Sequence, residues 1–218
     1  VIPCAGMGNR LGYLTKKMVS SSKVGKPLLA NIKCTSYLPE WRPKQNYLKS
    51  ISASAELGGG VLFELSHELD YSNWIFGNFV QIHSTSNNNK KQKLNVEDSV
   101  QLNLISKKNL PVSIYLDFMS KKISRICKLE GSKGTLIWNG IKNFITLENK
   151  KGKIKKWQFN TDKNKTYEDQ LCHFFDCIEK RIIPKVSLQD GIDALNIAFM
   201  AKKSNKKNIV IKLKHTNR

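Results

Sequence analysis

The sequence predicts an α+β domain, one open and mostly antiparallel sheet with helices against one face. Three observations carry this: short apolar runs at regular spacing from Val80 to Gly152, a helical pattern after a triple glycine, and two amphipathic helical patterns near the C-terminus.

Residues 1–12, VIPCAGMGNRLG, form a short apolar run and a glycine-rich loop, and residues 13–24 suit a helix ending near Gly25. Residues 27–36, PLLANIKCTS, carry β-branched residues in partial alternation and read as a strand. Residues 37–50, YLPEWRPKQNYLKS, hold two prolines and three aromatics. They read as a structured loop, the kind of segment that carries function more often than scaffold does. After Gly58-Gly59-Gly60 a single helix is expected from Val61 to Phe76, with Leu62, Leu65, Leu69, Trp74 and Ile75 on one side and Gly77 as its stop. The runs FVQIHSTS, SVQLNLIS, PVSIYLDFM, SRICKLEG, GTLIWNG and NFITLEN follow, separated by turn residues. Strands at this spacing predict an antiparallel meander. Residues 167–181 and 187–204 read as amphipathic helices, the second capped by Ser187 or Asp190, and NIVIKLK reads as a closing strand.

Apolar residues make up 40% and charged residues 25%, which places the chain among globular proteins rather than disordered ones. No apolar run reaches 18 residues, so no membrane partner is expected, and the N-terminus lacks the basic lead-in of a secretory signal. The formal charge of +20 raises the question of nucleic acid. The lysines, however, recur as scattered pairs such as Lys107-Lys108 and Lys150-Lys151, without interleaved aromatics. Solvated faces and turns are the simpler reading, with attraction of an anionic small substrate as a milder use of the same field. Five cysteines, an odd number without a CxxC pair, argue against a zinc site or disulfide framework and for reduced thiols in the cytoplasm. Cys172, His173 and Cys177 share a helical pattern with no fourth ligand nearby, so core packing rather than a metal is expected.

The chemistry-bearing residues converge on one region. Three glycines before a helix let backbone approach a ligand closely and leave N–H groups free at the helix start. His67 follows one turn along, and an imidazole is a group that can take or give a proton near neutral pH. In the preceding loop, Arg42 can hold a phosphate or carboxylate through two parallel hydrogen bonds.

Three segments carry a resemblance. They are Glu56-Leu57-Gly58-Gly59-Gly60-Val61-Leu62-Phe63-Glu64-Leu65-Ser66-His67-Glu68-Leu69-Asp70-Tyr71 with Trp74-Ile75-Phe76-Gly77, then Tyr37-Leu38-Pro39-Glu40-Trp41-Arg42-Pro43, and Gly131-Ser132-Lys133-Gly134-Thr135-Leu136. Asp190-Gly191 before an Ala-Leu helix fits as well. In order and spacing, residues 26–218 resemble the C-terminal substrate-binding and oligomerisation domain of Gfo/Idh/MocA-type NAD(P)-dependent sugar oxidoreductases. The resemblance implies hydride transfer between NAD or NADP and a sugar or nucleotide sugar, and a homo-oligomer formed through the sheet. It makes His67 the general acid/base, places Trp41 and Arg42 at the nicotinamide end of the cofactor, and makes Tyr37, Arg42, Glu64 and Asp70 substrate contacts. It implies no resident metal. The family more often has Asp where this chain has Glu64, and a spacing of four rather than three to the histidine.

The dinucleotide-binding half such an enzyme needs does not fit within residues 1–25, and Ala5 to Gly12 match G-x-G-x-x-G poorly. Tight cofactor binding by this chain alone is therefore not expected. Residues 1–17 instead resemble the opening loop of a sugar nucleotidyltransferase, in which Gly6, Gly8 and Arg10 would bind a nucleoside triphosphate. The expectation is a truncated or fused reading frame with an incomplete fragment over residues 1–25. The alternatives are a nucleotidyltransferase fragment and a non-catalytic oligomerisation module.

Overall fold

The computed structural model describes residues 15–19, 23–89, 93–159 and 163–213. Nine strands form one sheet: β1 Pro27–Tyr37, β2 Phe79–Asn87, β3 Ser99–Ser106, β4 Pro111–Asp117, β5 Met119–Gly131, β6 Gly134–Asn139, β7 Phe144–Asn149, β8 Ile154–Gln158 and β9 Ile211–Lys212. Their spatial order is β8-β7-β6-β5-β1-β4-β3-β2-β9. Every described pairing is antiparallel except β1 with β4.

Register aligns one apolar row across the sheet. Leu102 faces Ile114, Ile114 faces Ile32, Ile32 faces Cys127, Cys127 faces Trp138, and Trp138 faces Ile145. All six are buried, as period-2 alternation requires of the covered face. The opposite face carries polar groups: Gln101 Nε2 donates to Ser113 Oγ at 2.7 Å, and the Lys33 ammonium lies 6.0 Å from the Tyr115 ring centre.

Besides helical residues 15–19 and three short 3-10 turns, the described residues form the helices α1 Val61–Glu64, α2 Ser66–Phe76, α3 Lys163–Glu179 and α4 Leu188–Lys207. Ala194, Ile197, Ala198 and Ala201 form the buried stripe of α4 at helical spacing, and the three alanines let the helix lie close on β2 and α2. The two expected caps act together in one box. Asp190 N donates to Ser187 Oγ at 3.3 Å, and Ser187 N donates to the Asp190 carboxylate at 2.8 Å. At the other end, Ser204 Oγ accepts from Ser84 N at 3.0 Å and donates to Ile209 O at 2.6 Å, tying α4 to the sheet. On α3, Tyr167, Leu171, Phe174, Phe175 and Ile178 are exposed, as are Ile183 at 88% in the connection to α4 and Leu188 at 83% at the start of α4.

Several expectations needed correction. The meander is interrupted because β1 lies between β4 and β5, so these consecutive strands are not neighbours. β8, IKKWQ, was not expected; three of its five residues are charged or amide, and it forms the polar outer edge of the sheet. The helix expected over Val61–Phe76 breaks at Leu65, whose φ of −100° and ψ of 22° leave the helical range. Residues 15–19 are helical while 23 and 24 form a bend, so the helix expected to Gly25 stops earlier. Cys172 is exposed rather than in the core, whereas Cys177 is buried. Met18 and Val24 join the same core as the sheet.

Ser204→Ala removes the acceptor of a buried backbone N–H. It should cost about 1–3 kcal/mol in urea denaturation with the slope unchanged.

Candidate functional site

The triple glycine serves the protein's own packing. Gly58 N, Gly59 N and Gly60 N donate to the carbonyls of Ala55, Ser54 and Ser52, and Val61 N donates to Glu97 O. The donors expected to stay free for a ligand are thus used internally. A Cβ at Gly59 would lie 2.2 Å from Ile51 O, and one at Gly60, where φ is +106°, would lie 2.5 Å from the Glu97 carboxylate. The glycines let the Ile51–Ala53 turn and Glu97 pack beneath the start of α1.

His67 and Glu68 open α2, and beside them lie Cys34 on β1 and Arg125 on β5, which register directly opposite one another. Glu68 is fully buried. Its Oε1 accepts from Arg125 Nε at 2.7 Å and lies 3.2 Å from His67 Nε2. The guanidinium is 5.5 Å from the Trp138 ring centre and 6.0 Å from that of Tyr71. Burial alone would push the Glu68 carboxyl up. The Arg125 charge, with smaller contributions from His67 and Tyr71, outweighs burial and holds it below the usual range. Burial raises the Cys34 thiol far above its ordinary value, and the Glu68 charge raises it further. Cys34, His67 and Glu68 bring potential ligand atoms within 4.8 Å of one another. A guanidinium already on the carboxylate and a thiol held neutral make this a poor site for a metal cation. The His67 side chain is 29% exposed, so it links the buried Glu68 carboxylate to the surface.

The other expected site residues are dispersed. Trp41 sets its edge against Phe118 with ring centres 5.0 Å apart, and Arg42 is exposed. No hydrogen bond or ring contact joins either to His67 among the described residues. Tyr37 lies beneath the Lys121 ammonium at 5.7 Å, and Glu64 ends α1 half-buried. Asp70 does not join the His67 cluster. It lines a separate cavity of about 210 Å³ with Lys16, Asn73, Trp74, Asn78 and Asp190. There burial, and then the Asp190 charge, push its carboxyl up to about 7. Gly6, Gly8 and Arg10 lie outside the described residues.

Arg125 and Cys34 were missed from sequence. One signal was available for Arg125: it shares the inward phase of β5 with Cys127 and Leu129, where a charge demands a partner. Nothing in the sequence names that partner, 57 residues away.

An open nine-stranded sheet, with one strand inserted in parallel and helices over one face, is not the doubly wound parallel arrangement of a dinucleotide-binding domain. The chain belongs to the Gfo/Idh/MocA oxidoreductase family, whose model described as "Oxidoreductase family, C-terminal alpha/beta domain" matches residues 16–213. Among solved structures, levoglucosan dehydrogenase in complex with NADH and levoglucosan is similar at 14% identity and a TM-score of 0.83, over 95% of this chain and 65% of that one. An NAD binding oxidoreductase from Klebsiella pneumoniae is similar at 12% identity and 0.83, over 97% and 65%. An aldose-aldose oxidoreductase from Caulobacter crescentus complexed with glycerol is similar at 15% identity and 0.82, over 96% and 62%. At these identities the likeness establishes the fold. The chain spans about 65% of the length of the first two. No curated protein matches the sequence.

The described residues do not fit a dinucleotide cradle. They hold no glycine-rich strand-to-helix turn with free amides, because the amides of Gly58 to Gly60 are already bonded. No described helix is long and apolar enough to cross a membrane.

Arg125→Met should cost about 3–5 kcal/mol by leaving the Glu68 carboxylate buried without its cation, and the Arg125→Met/Glu68→Gln pair should recover part of that loss in a denaturation cycle. Asp70 gives the opposite sign to an ordinary carboxylate. An acid with a raised folded value favours the fold while protonated, and that stability is lost as pH rises from about 4 through about 7. Asp70→Asn should therefore stabilise the protein by about 2–4 kcal/mol at pH 8 and change little at pH 4, read by thermal melts.

Proposed function

We propose that this chain is the substrate-binding part of an NAD(P)-dependent oxidoreductase acting on a sugar or nucleotide sugar. When bound, the nicotinamide supplies or accepts the hydride. His67 exchanges the hydroxyl proton, Arg42 and Trp41 face the polar end of the substrate or cofactor, and Tyr37 and Glu64 contribute hydroxyl contacts. The observation that carries this reading is the partly exposed His67 braced by the buried Glu68 carboxylate and its Arg125 partner. It is the one expected site residue with such a foundation among those described. Family membership supports the reaction class. The similar structures in complex with NADH and levoglucosan, and with glycerol, support a cofactor and a polyhydroxylated substrate. A base must hold an accepting nitrogen towards the hydroxyl while keeping its ring fixed, and a ring anchored on a buried carboxylate meets that need.

On this reading the cofactor is held mainly outside residues 26–218. The polar face of the sheet, with Gln101, Ser113 and Tyr115, is the surface through which copies associate.

Saturation-transfer NMR with levoglucosan and with a uridine diphosphate sugar tests the proposal. Both should bind the folded chain, and Arg42→Ala should weaken the anionic ligand about tenfold while sparing the neutral one. NADH fluorescence should show no tight binding. Absence of any sugar contact in the folded protein refutes the reading.

A further inference from the structure

The histidine of the proposed function has two ring nitrogens that face different surroundings. Nε2 lies 3.2 Å from Glu68 Oε1. Nδ1 has no hydrogen-bond partner among the described residues. The oxygen beside Nε2 also takes the Arg125 N–H, and the carboxylate is fully buried. An ionised carboxylate can only accept. A bare Nε2 lone pair against it would place two acceptors at 3.2 Å with no proton between them. The proton therefore belongs on Nε2.

We infer that Glu68, held by Arg125, is a positioning residue that fixes His67 as the Nε2–H tautomer and leaves Nδ1 as the atom that takes the substrate proton. This rests on the proposed function for the last step only; the tautomer itself follows from the contact geometry. The Glu68–Arg125 pair is neutral overall, so it orients the ring through a hydrogen bond rather than through net charge. Arg125 is itself fixed, with its guanidinium over the Trp138 and Tyr71 rings. The brace thus runs from β5 through α2 to the surface, and the residue that sets the reactive nitrogen never touches the substrate.

Two-bond 1H–15N correlation spectra of the uniformly labelled chain, at a pH where the imidazoles are neutral, read the tautomer directly. The protein carries its own reference for the opposite state. His173 Nε2 accepts from Lys185 N at 3.1 Å, which puts that ring's proton on Nδ1. His67 should show Nε2 protonated and Nδ1 bare, with a preference of at least about tenfold. Glu68→Gln should turn His67 into a mixture of both forms while His173 stays as it was. An Nδ1–H ring or an averaged mixture in the folded wild-type protein overturns the inference. So does a Glu68→Gln protein that keeps the same single tautomer. The first reading is taken on the wild-type fold, so a variant that fails to fold leaves the answer intact. No turnover or sugar enters the measurement. A fixed tautomer in a protein that binds no sugar leaves the positioning standing and removes the proposed function, and the converse result does the reverse.

Discussion

Burial of one carboxylate organises this structure. Glu68 sits at the junction of α2 with the centre of the sheet, where nothing but an opposite charge in the right place makes an ionised group tolerable. Arg125 supplies that charge from the neighbouring strand. To do so, β5 must pair with β1 in the register that sets Cys34 opposite Arg125, and α2 must lie across both. The ion pair therefore ties together a helix and two strands that are distant in sequence. It also penalises slippage, since moving β5 by one residue would turn the guanidinium to the other face and strand the carboxylate.

The same junction explains why the glycines and the break at Leu65 are where they are. α2 begins only at Ser66, after a short first turn that rests on Glu97 and on the Ile51–Ala53 backbone. Gly59 and Gly60, without side chains, let those groups come beneath the helix start, and the change of direction at Leu65 lets α2 present Glu68 to the sheet. What looked like an entrance for a ligand is a close-packed joint, and its chemical consequence is felt one turn later, at His67.

Local patterns were read well from sequence because they record local physics. Alternation placed β2 to β7, and Ser187 with Asp190 marked the start of α4, since each depends on residues within a few positions of one another. Order across the sheet was not legible. Nothing in PLLANIKCTS states that it will be flanked by SRICKLEG on one side and PVSIYLD on the other, because alternation identifies a strand but not its neighbours. His67 was found through resemblance and a spacing argument, while its support was hidden by the long sequence gap between Glu68 and Arg125. Asp70 shows the limit from the other side. It lies three residues from His67 on the same helix, yet packing directs it to a different cavity beside Asp190.

The apolar stripe along α3 has a practical side. Tyr167, Leu171, Phe174 and Ile178 would bring two molecules together by the ordinary drive to remove hydrocarbon from water, and the force opposing this is mutual repulsion between bodies carrying a formal +20. That repulsion reaches only about 8 Å at physiological ionic strength and about 3 Å in molar salt, whereas the attraction does not weaken with salt. Behaviour in the test tube is then set by the buffer: dilute electrolyte keeps the α3 stripes apart, and the high-salt washes used to strip contaminants from a basic protein are the step at which this one would cloud.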